Sequence, residues 1–154
     1  MALKKAQALT AHVKSFYNKF EKHLADKAFE AGNISTDKMD EDQVANYDLA
    51  WVAAELFAIE EMIAYPEKVG KGAGSIEENL SLFFIADAFN DMLARLRLAA
   101  QKMGVSSQQF DTDVHASEIY AFTAEYSSEA FAKKIADTLA ATKDFGAYGL
   151  NDDQ

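Results

Sequence analysis

The chain has 154 residues, of which 49% are hydrophobic, and it carries a formal net charge of −10. One ordinary domain accounts for this length, and the hydrophobic content excludes a disordered chain. The acidic charge argues against nucleic acid as a partner, since a phosphate backbone requires a basic surface, and the absence of cysteine excludes disulfides and thiolate chemistry.

No apolar run reaches the length of about 18 residues that a membrane-spanning helix needs. Residues 1–10 lack the apolar core of a secretory signal, and they contain none of the arginines that mark an organelle transit peptide. We therefore expect no transmembrane segment and a cytoplasmic location.

The first predicted helix extends from about residue 3 to residue 30. Its apolar side chains recur at spacings of three and four, the pattern of a helix with one buried face; they are Leu9, Val13, Phe16, Phe20 and Leu24. Gly32 and Asn33 predict its end. Six lysines and three acids give residues 1–30 a charge of +3, whereas residues 31–70 carry −7. We expect these lysines to pair with acidic neighbouring helices, and a partner-binding face is the alternative.

The second predicted helix spans about residues 40–65, after a polar connection at residues 34–39. Asp40 is its predicted N-cap, because Gln43 follows at the spacing of a capping box. Pro66 is its predicted end, because a proline disfavours helical geometry in the residue before it.

Two faces of this second helix are apolar. The main stripe consists of Leu49, Val52, Leu56, Ile59 and Ile63. Trp51, Ala58 and Met62 form another stripe on a different side of the helix, and Glu55 lies among them. A helix with two apolar faces is typically central or part of an interface. Trp51, Glu55, Ala58 and Met62 are therefore the candidate interface.

The third predicted helix covers residues 76–103. Seven apolar side chains follow its helical period, namely Leu82, Ile85, Phe89, Met92, Leu96, Ala99 and Met103. Ser75 and Glu78 form a capping box at its start, and Gly104 predicts its end. Asp91 and Arg95 stand four residues apart on its polar side, as an ion pair within a helix requires.

The fourth predicted helix covers about residues 107–143 and is the least regular. Residues 127–128, both serine, interrupt its apolar stripe and predict a bend, and residues 111–113 offer caps for a second start. Residues 145–154 form an acidic tail. Four helices with short connections predict an all-α fold, a single antiparallel up-down four-helix bundle over residues 1–154.

No catalytic or metal-binding site emerges from the spacing of polar residues. A di-iron bundle requires Glu-x-x-His on two helices, and the chain has only the reversed pair His115 and Glu118. We interpret that pair as a helix-terminal histidine beside solvated acids. His12 and His23 lie about 16 Å apart along one helix and cannot share a metal. Burial would raise the pKa of Glu55, although a carboxylate at the edge of the core, with its head in water, is the simpler interpretation.

The residues DLAWVAAE at 48–55 and FIADAF at 84–89 resemble the C-terminal helical region of acyl-CoA dehydrogenases. Residues 132–149 are similar to the last core helix of that family and the glycine loop after it. That loop usually carries two adjacent glycines, whereas here Phe145 precedes a lone Gly146. The family's N-terminal domains and the segment with its catalytic glutamate have no counterpart here. The resemblance thus implies a detached domain that contributes to a flavin or acyl-CoA site only on assembly.

The functional expectation that follows is a non-catalytic helical bundle without a bound cofactor. It would act through packing of helix faces, as an accessory subunit or an oligomer-forming domain, with another protein or further copies of itself as partner. The alternative is the acyl-CoA dehydrogenase-like domain, with FAD held only by a larger assembly.

Overall fold

A computed structural model describes residues 2–143 of the chain. Over this range the chain forms seven helices and one hairpin of two very short strands, which confirms the predicted all-α class. In chain order the elements are α1 (Ala2–Ala28), β1 (Phe29–Glu30), β2 (Asn33–Ile34), α2 (Thr36–Glu41), α3 (Gln43–Lys68), α4 (Ile76–Lys102), α5 (Ser107–Asp113), α6 (Ala116–Tyr126) and α7 (Glu129–Thr142). The acidic tail predicted at residues 145–154 lies outside the described residues.

Helix α4 is the centre of the fold, because it packs against α1, α3, α5, α6 and α7. The apolar stripe predicted for it is buried from Leu82 to Ala99, and Met103 at its end is partly buried. Phe89 within that stripe packs edge-on against Phe122 of α6, with ring centroids 5.8 Å apart. Within residues 2–143, no helix combines the length and the apolarity that crossing a membrane requires.

Ion pairs between α1 and its neighbours show that the lysines of α1 meet acidic side chains, as the charge pattern predicts. Lys14 contacts Glu60 of α3 at 2.5 Å, and Lys19 contacts Asp113 of α5 at 3.7 Å. Lys27, at the other end of α1, pairs with the residue just before α3. These pairs are exposed and contribute about 0–1 kcal/mol each, so their main effect is on helix orientation.

The segment between α1 and α3 differs from the prediction. Helix α1 ends at Ala28 rather than at residue 30, because the next residues turn into a hairpin. Its two turn residues, Ala31 and Gly32, have φ values of 49° and 87°. Two positive φ values in succession suit the tight hairpin turn that follows the twist of paired strands.

The polar connection predicted at residues 34–39 is also wrong, because most of it belongs to helix α2. The Ser35 hydroxyl caps α2 by accepting a hydrogen bond from the Lys38 N–H at 3.4 Å. Asp40 therefore lies in the last turn of α2 and does not cap α3, which begins at Gln43. The Gln43 side chain instead donates to Asp40 at 3.4 Å.

Pro66 does not end α3, which continues to Lys68. Proline lacks an N–H and thus removes one helical hydrogen bond, but the residues after Pro66 still form theirs. The turn closes beyond it, since the Val69 N–H donates to the Tyr65 carbonyl at 3.1 Å and the Lys71 N–H to the Pro66 carbonyl at 2.8 Å.

Both predicted ends of α4 are confirmed to within one residue. The Ser75 hydroxyl accepts a hydrogen bond from the Glu78 N–H at 3.1 Å, and the Glu78 carboxylate accepts one from the Gly74 N–H at 2.5 Å. Helix α4 ends at Lys102, and Gly104 follows with a φ of 75°. This left-handed conformation, which glycine adopts without strain, turns the chain out of the helix.

The single fourth helix predicted for residues 107–143 is wrong, because the chain divides it into α5, α6 and α7. His115 has a φ of 56°, which is not right-handed helical geometry, and it separates α5 from α6. His115 is thus the residue that precedes α6, whereas the expected caps were residues 111–113. The second break lies at the predicted bend. There Ser128 caps α7 by accepting a hydrogen bond from the Phe131 N–H at 3.1 Å, so the bend is a full interruption of the helix.

Candidate interface on helices α3 and α4

The four residues of the predicted interface lie on one side of α3, as their spacing requires. Trp51 is 45% exposed, whereas Glu55, Ala58 and Met62 are partly buried. Met62 packs against the main core. The row therefore runs from an exposed indole to a half-buried thioether.

Further exposed apolar side chains extend this surface in both helices. Val44 and Tyr47 precede Trp51 on the same side of α3, and Phe84 and Leu98 lie on α4. We call this surface the α3–α4 face and define it by Val44, Tyr47, Trp51, Glu55, Ala58 and Met62 of α3 with Phe84, Asp91, Arg95 and Leu98 of α4. Sequence reasoning missed Phe84 and Leu98, although both are apolar residues outside the predicted stripe of α4, which is a signal of an exposed apolar surface.

A polar cluster of five side chains joins the two helices at the middle of this face. The Trp51 indole N–H donates to Asp91 Oδ2 at 3.0 Å, and its Nε1 lies 3.1 Å from Glu55 Oε1. Arg95 donates through Nε to Asp91 at 2.8 Å and through Nη1 to Asp48 at 2.9 Å. The Arg95 guanidinium also lies over the Trp51 ring, 5.1 Å from its centroid. The predicted ion pair of Asp91 and Arg95 is thus confirmed as part of a larger network.

Two carboxyl groups of this cluster, those of Glu55 and Asp91, have displaced pKa values. Burial raises the pKa of Glu55 to about 7, and the negative charge of Asp91 adds to the effect. The hydrogen bond from Arg95 has the opposite effect on Asp91 and holds its pKa below the ordinary value. Glu55 Oε2 is buried, and no hydrogen-bond donor among the described residues reaches it. Near pH 7, Glu55 is therefore divided between its neutral and its charged form.

The histidines lie away from this face. His115 stands at the start of α6 with its Nδ1 3.1 Å from the Glu118 carboxylate, so the predicted helix-terminal histidine beside an acid is confirmed. His12 of α1 stacks on His115 with ring centroids 3.8 Å apart, a contact between helices that spacing within one helix does not reveal. In the described part of the chain, no group of three or more His, Cys, Asp or Glu side chains is placed to hold a metal ion.

The chemistry that the polar cluster offers is recognition. Its carboxylates accept hydrogen bonds and attract cations, and its indole ring provides apolar contact area. None of its five side chains is a hydroxyl or thiol nucleophile. Aromatic and arginine side chains of this kind are enriched at protein interfaces.

Comparison with known proteins finds no family model and no curated relative that matches the chain. The resemblance to acyl-CoA dehydrogenases therefore stays a prediction. Its segments at 48–55 and 84–89 lie on α3 and α4, and the first contains Trp51 and Glu55. Its third segment, 132–149, extends beyond the described residues.

Proposed function

We propose that this protein is a non-catalytic helical domain that assembles with another protein chain through the α3–α4 face. The observation that carries the proposal is the row of large apolar side chains that α3 and α4 leave exposed, namely Val44, Tyr47, Trp51, Phe84 and Leu98. An apolar patch of this kind around a polar centre is typical of a protein interaction site, whereas single exposed apolar residues are ordinary.

Two aromatic side chains of the face, Trp51 and Tyr47, are held by contacts within the chain. Trp51 is held by its hydrogen bonds and by Arg95 above its ring, and Tyr47 stacks beside it with centroids 6.3 Å apart. Binding immobilises side chains at a cost in entropy, and a preordered ring avoids part of that cost. The arrangement therefore favours use of the face as a docking surface.

The backbone under the face is equally well anchored. Val52 and Ile59 on the other side of α3 are fully buried, as are Ile85 and Phe89 of α4. Because these side chains fill the core, the two helices present the face in a fixed relative position. A rigid scaffold beneath a contact surface supports complementary packing with a partner.

The antiparallel up-down bundle belongs to the same proposal. Lys27 at the end of α1 pairs with Asp42 just before α3, and Lys14 at the middle of α1 pairs with Glu60 further along α3, which supports opposite directions for these helices. The pair of Asp48 and Arg95 does the same for α3 and α4. In this view α5, α6 and α7 together replace a fourth helix, and the cytoplasm remains the predicted location.

Oxidative footprinting tests the proposed assembly directly. The native assembly from the protein's own cells is compared with the isolated recombinant chain, and native mass spectrometry gives the composition of each. We expect Trp51 and Phe84 to be oxidised several-fold less in the assembly. Phe57, which is 67% exposed and lies about 120° around α3 from Trp51, is the matched control and should not change. A single-chain native mass, or protection that leaves Trp51 unchanged, would contradict the proposal.

The resemblance to acyl-CoA dehydrogenases carries a second proposal, a detached domain that contributes to a flavin or acyl-CoA site on assembly. It is supported by the position of the two resembling segments on adjacent helices, both reaching the α3–α4 face. One depression among the described residues, of about 720 Å³ between α5 and α6, does not fit FAD. It is lined by Asp111 beside neutral polar side chains and His115, whereas a pyrophosphate requires a cluster of cations.

Titration with FAD and with an acyl-CoA separates this proposal from the first. The isolated chain should bind neither compound, whereas the native assembly should bind one of them. An assembly that binds neither would rule out the acyl-CoA dehydrogenase-like function and leave the packing function in place.

A further inference from the structure

We infer that the α3–α4 face binds a partner helix whose apolar stripe carries one lysine or arginine, and that this cation enters the polar cluster beside Glu55 and Asp91. The inference rests on the proposed function and specifies the chemistry of the partner. It follows from the charge, the remaining hydrogen-bonding capacity and the apolar surroundings of the cluster.

The cluster has more carboxyl groups than cations. Asp48, Glu55 and Asp91 surround a single guanidinium, that of Arg95. Its net charge is therefore −2 when Glu55 is ionised and −1 when Glu55 is protonated. One additional cation from a partner would reduce this charge to −1 when Glu55 is ionised and to zero when it is protonated. Opposite charges that meet across an interface determine which partner binds.

Hydrogen-bond acceptors also remain in the cluster. Trp51 and Arg95 both donate to Oδ2 of Asp91, and Glu55 shares a further hydrogen bond with Asp91 while it is protonated. This bond is lost when Glu55 ionises, because two carboxylates have no proton to share. The Asp91 side chain is 47% exposed, so an incoming ammonium or guanidinium group can reach it.

Apolar side chains flank the cluster along both helices. Val44, Tyr47 and Leu98 lie toward one end of the face, and Met62 and Phe84 toward the other. A partner helix that lies along this surface needs apolar residues on either side of its cation. An amphipathic helix with one central lysine or arginine meets both requirements.

A second copy of the chain is a poorer occupant of this face. A two-fold contact centred on the face would bring two copies of the same acidic cluster together. The formal net charge of −10 adds a general repulsion between copies. The charge distribution thus favours a basic partner over a homodimer.

Glu55 makes the contact dependent on pH. The charged groups that act on it are Asp91 and Arg95, both from α4. A partner cation stabilises the ionised form of Glu55, so binding releases its proton. The preference for a cationic partner should therefore increase as the pH rises through about 7.

Fluorescence of Trp51, the only tryptophan of the chain, reports binding at this face. The probes are three synthetic amphipathic helical peptides without tryptophan or tyrosine, which differ only at the centre of a leucine stripe. That position holds lysine, norleucine or glutamate. We expect the lysine peptide to bind roughly tenfold more tightly than the norleucine peptide at pH 8, and the glutamate peptide to bind most weakly. Between pH 8 and pH 6 the preference for lysine should decrease.

Substitutions test whether the polar cluster causes this preference for the lysine peptide. Asp91→Asn should reduce the preference for lysine to less than about threefold, because it removes the carboxylate that the cation contacts. Asp137→Asn, at an exposed position of helix α7 outside the α3–α4 face, is the matched control and should retain the full preference.

Three outcomes would overturn the inference. If the norleucine peptide binds as tightly as the lysine peptide, the face is a purely apolar docking surface, and the proposed function stands without the cation. If dilution of the chain alone changes Trp51 fluorescence, a second copy occupies the face. If no peptide changes the fluorescence, a partner of this chemistry is excluded, and the footprinting of the native assembly decides separately whether the proposed function fails as well.

Discussion

The indole N–H of Trp51 donates a hydrogen bond to Asp91 across the contact between α3 and α4, with Nε1 3.0 Å from Oδ2. Arg95, one turn further along α4, donates to the same oxygen at 2.8 Å. An exposed aromatic ring is thereby fixed to the neighbouring helix instead of rotating freely in solvent. This contact makes Trp51 an ordered part of the α3–α4 face.

Replacement of Glu55 by glutamine should change how stability depends on pH. The pKa of Glu55 is about 7 in the folded protein, against an ordinary value of 4.5, so the folded state binds this proton more tightly than the unfolded state. Its contribution to stability therefore decreases as the pH rises from 4.5 to about 7 and is constant above that. With allowance for solvent screening, the loss is about 1–3 kcal/mol.

Urea unfolding at pH 4 and pH 8 measures this effect. Glu55→Gln should match the wild type in free energy of unfolding at pH 4 and exceed it at pH 8, because glutamine has no charge to bury. Glu67→Gln, an exposed position on the same helix, is the control and should show no such change between the two pH values. Equal differences for Glu55→Gln at both pH values would contradict the assignment.

The ion pair of Asp48 and Arg95 should couple α3 to α4 energetically. Its two side chains are only 18% and 24% exposed, and the N–O distance is 2.9 Å. A double-mutant cycle with alanine at both positions should give a coupling free energy of about 1–2 kcal/mol. The pair of Lys22 and Asp26, at 76% and 67% exposure, should give less than about 0.5 kcal/mol. A coupling for the first pair no larger than for the second would show that the cluster does not hold the helices together.

Alanine substitutions at two phenylalanines should distinguish a core position from a surface position by their effect on stability. Phe89 is fully buried at the centre of α4, so Phe89→Ala should lower the free energy of unfolding by about 3–5 kcal/mol through lost burial and a cavity. Phe57→Ala, at a side chain that is 67% exposed, should change it by less than about 0.5 kcal/mol. Denaturant unfolding at neutral pH checks both values, and a comparable loss at the two positions would contradict the described packing.

Replacement of Ser128 by alanine should show whether the helix is interrupted at this residue or continuous. The two cases predict changes of opposite sign in the free energy of unfolding. Ser128 caps α7, so its replacement should lower the free energy of unfolding by about 0.5–2 kcal/mol. In the interior of one long helix the same change would raise stability, because alanine has the higher helix propensity. Ser117→Ala, at an exposed position inside α6, is the control, and thermal unfolding gives both signs.

Structural features that depend on residues close together in the chain could be predicted from the sequence. The apolar stripe of α4 and its ends at Ser75 and Gly104 depend on helical period and on capping, which involve neighbours no more than one or two turns away. The same local rules failed where tertiary contacts changed the backbone. His115 takes a left-handed conformation while its ring stacks on His12 of α1, about a hundred residues earlier in the chain.

The sequence by itself determined the helical class, the buried stripes and the line of residues from Trp51 to Met62 on one side of α3. Only the tertiary structure decided that Asp48, Trp51 and Glu55 meet Asp91 and Arg95 in one cluster. That meeting depends on the rotation and the register of α3 against α4, which are set by the packing of buried side chains on their other sides. Helical period specifies the faces of each helix, but it does not specify which turns of two helices lie together.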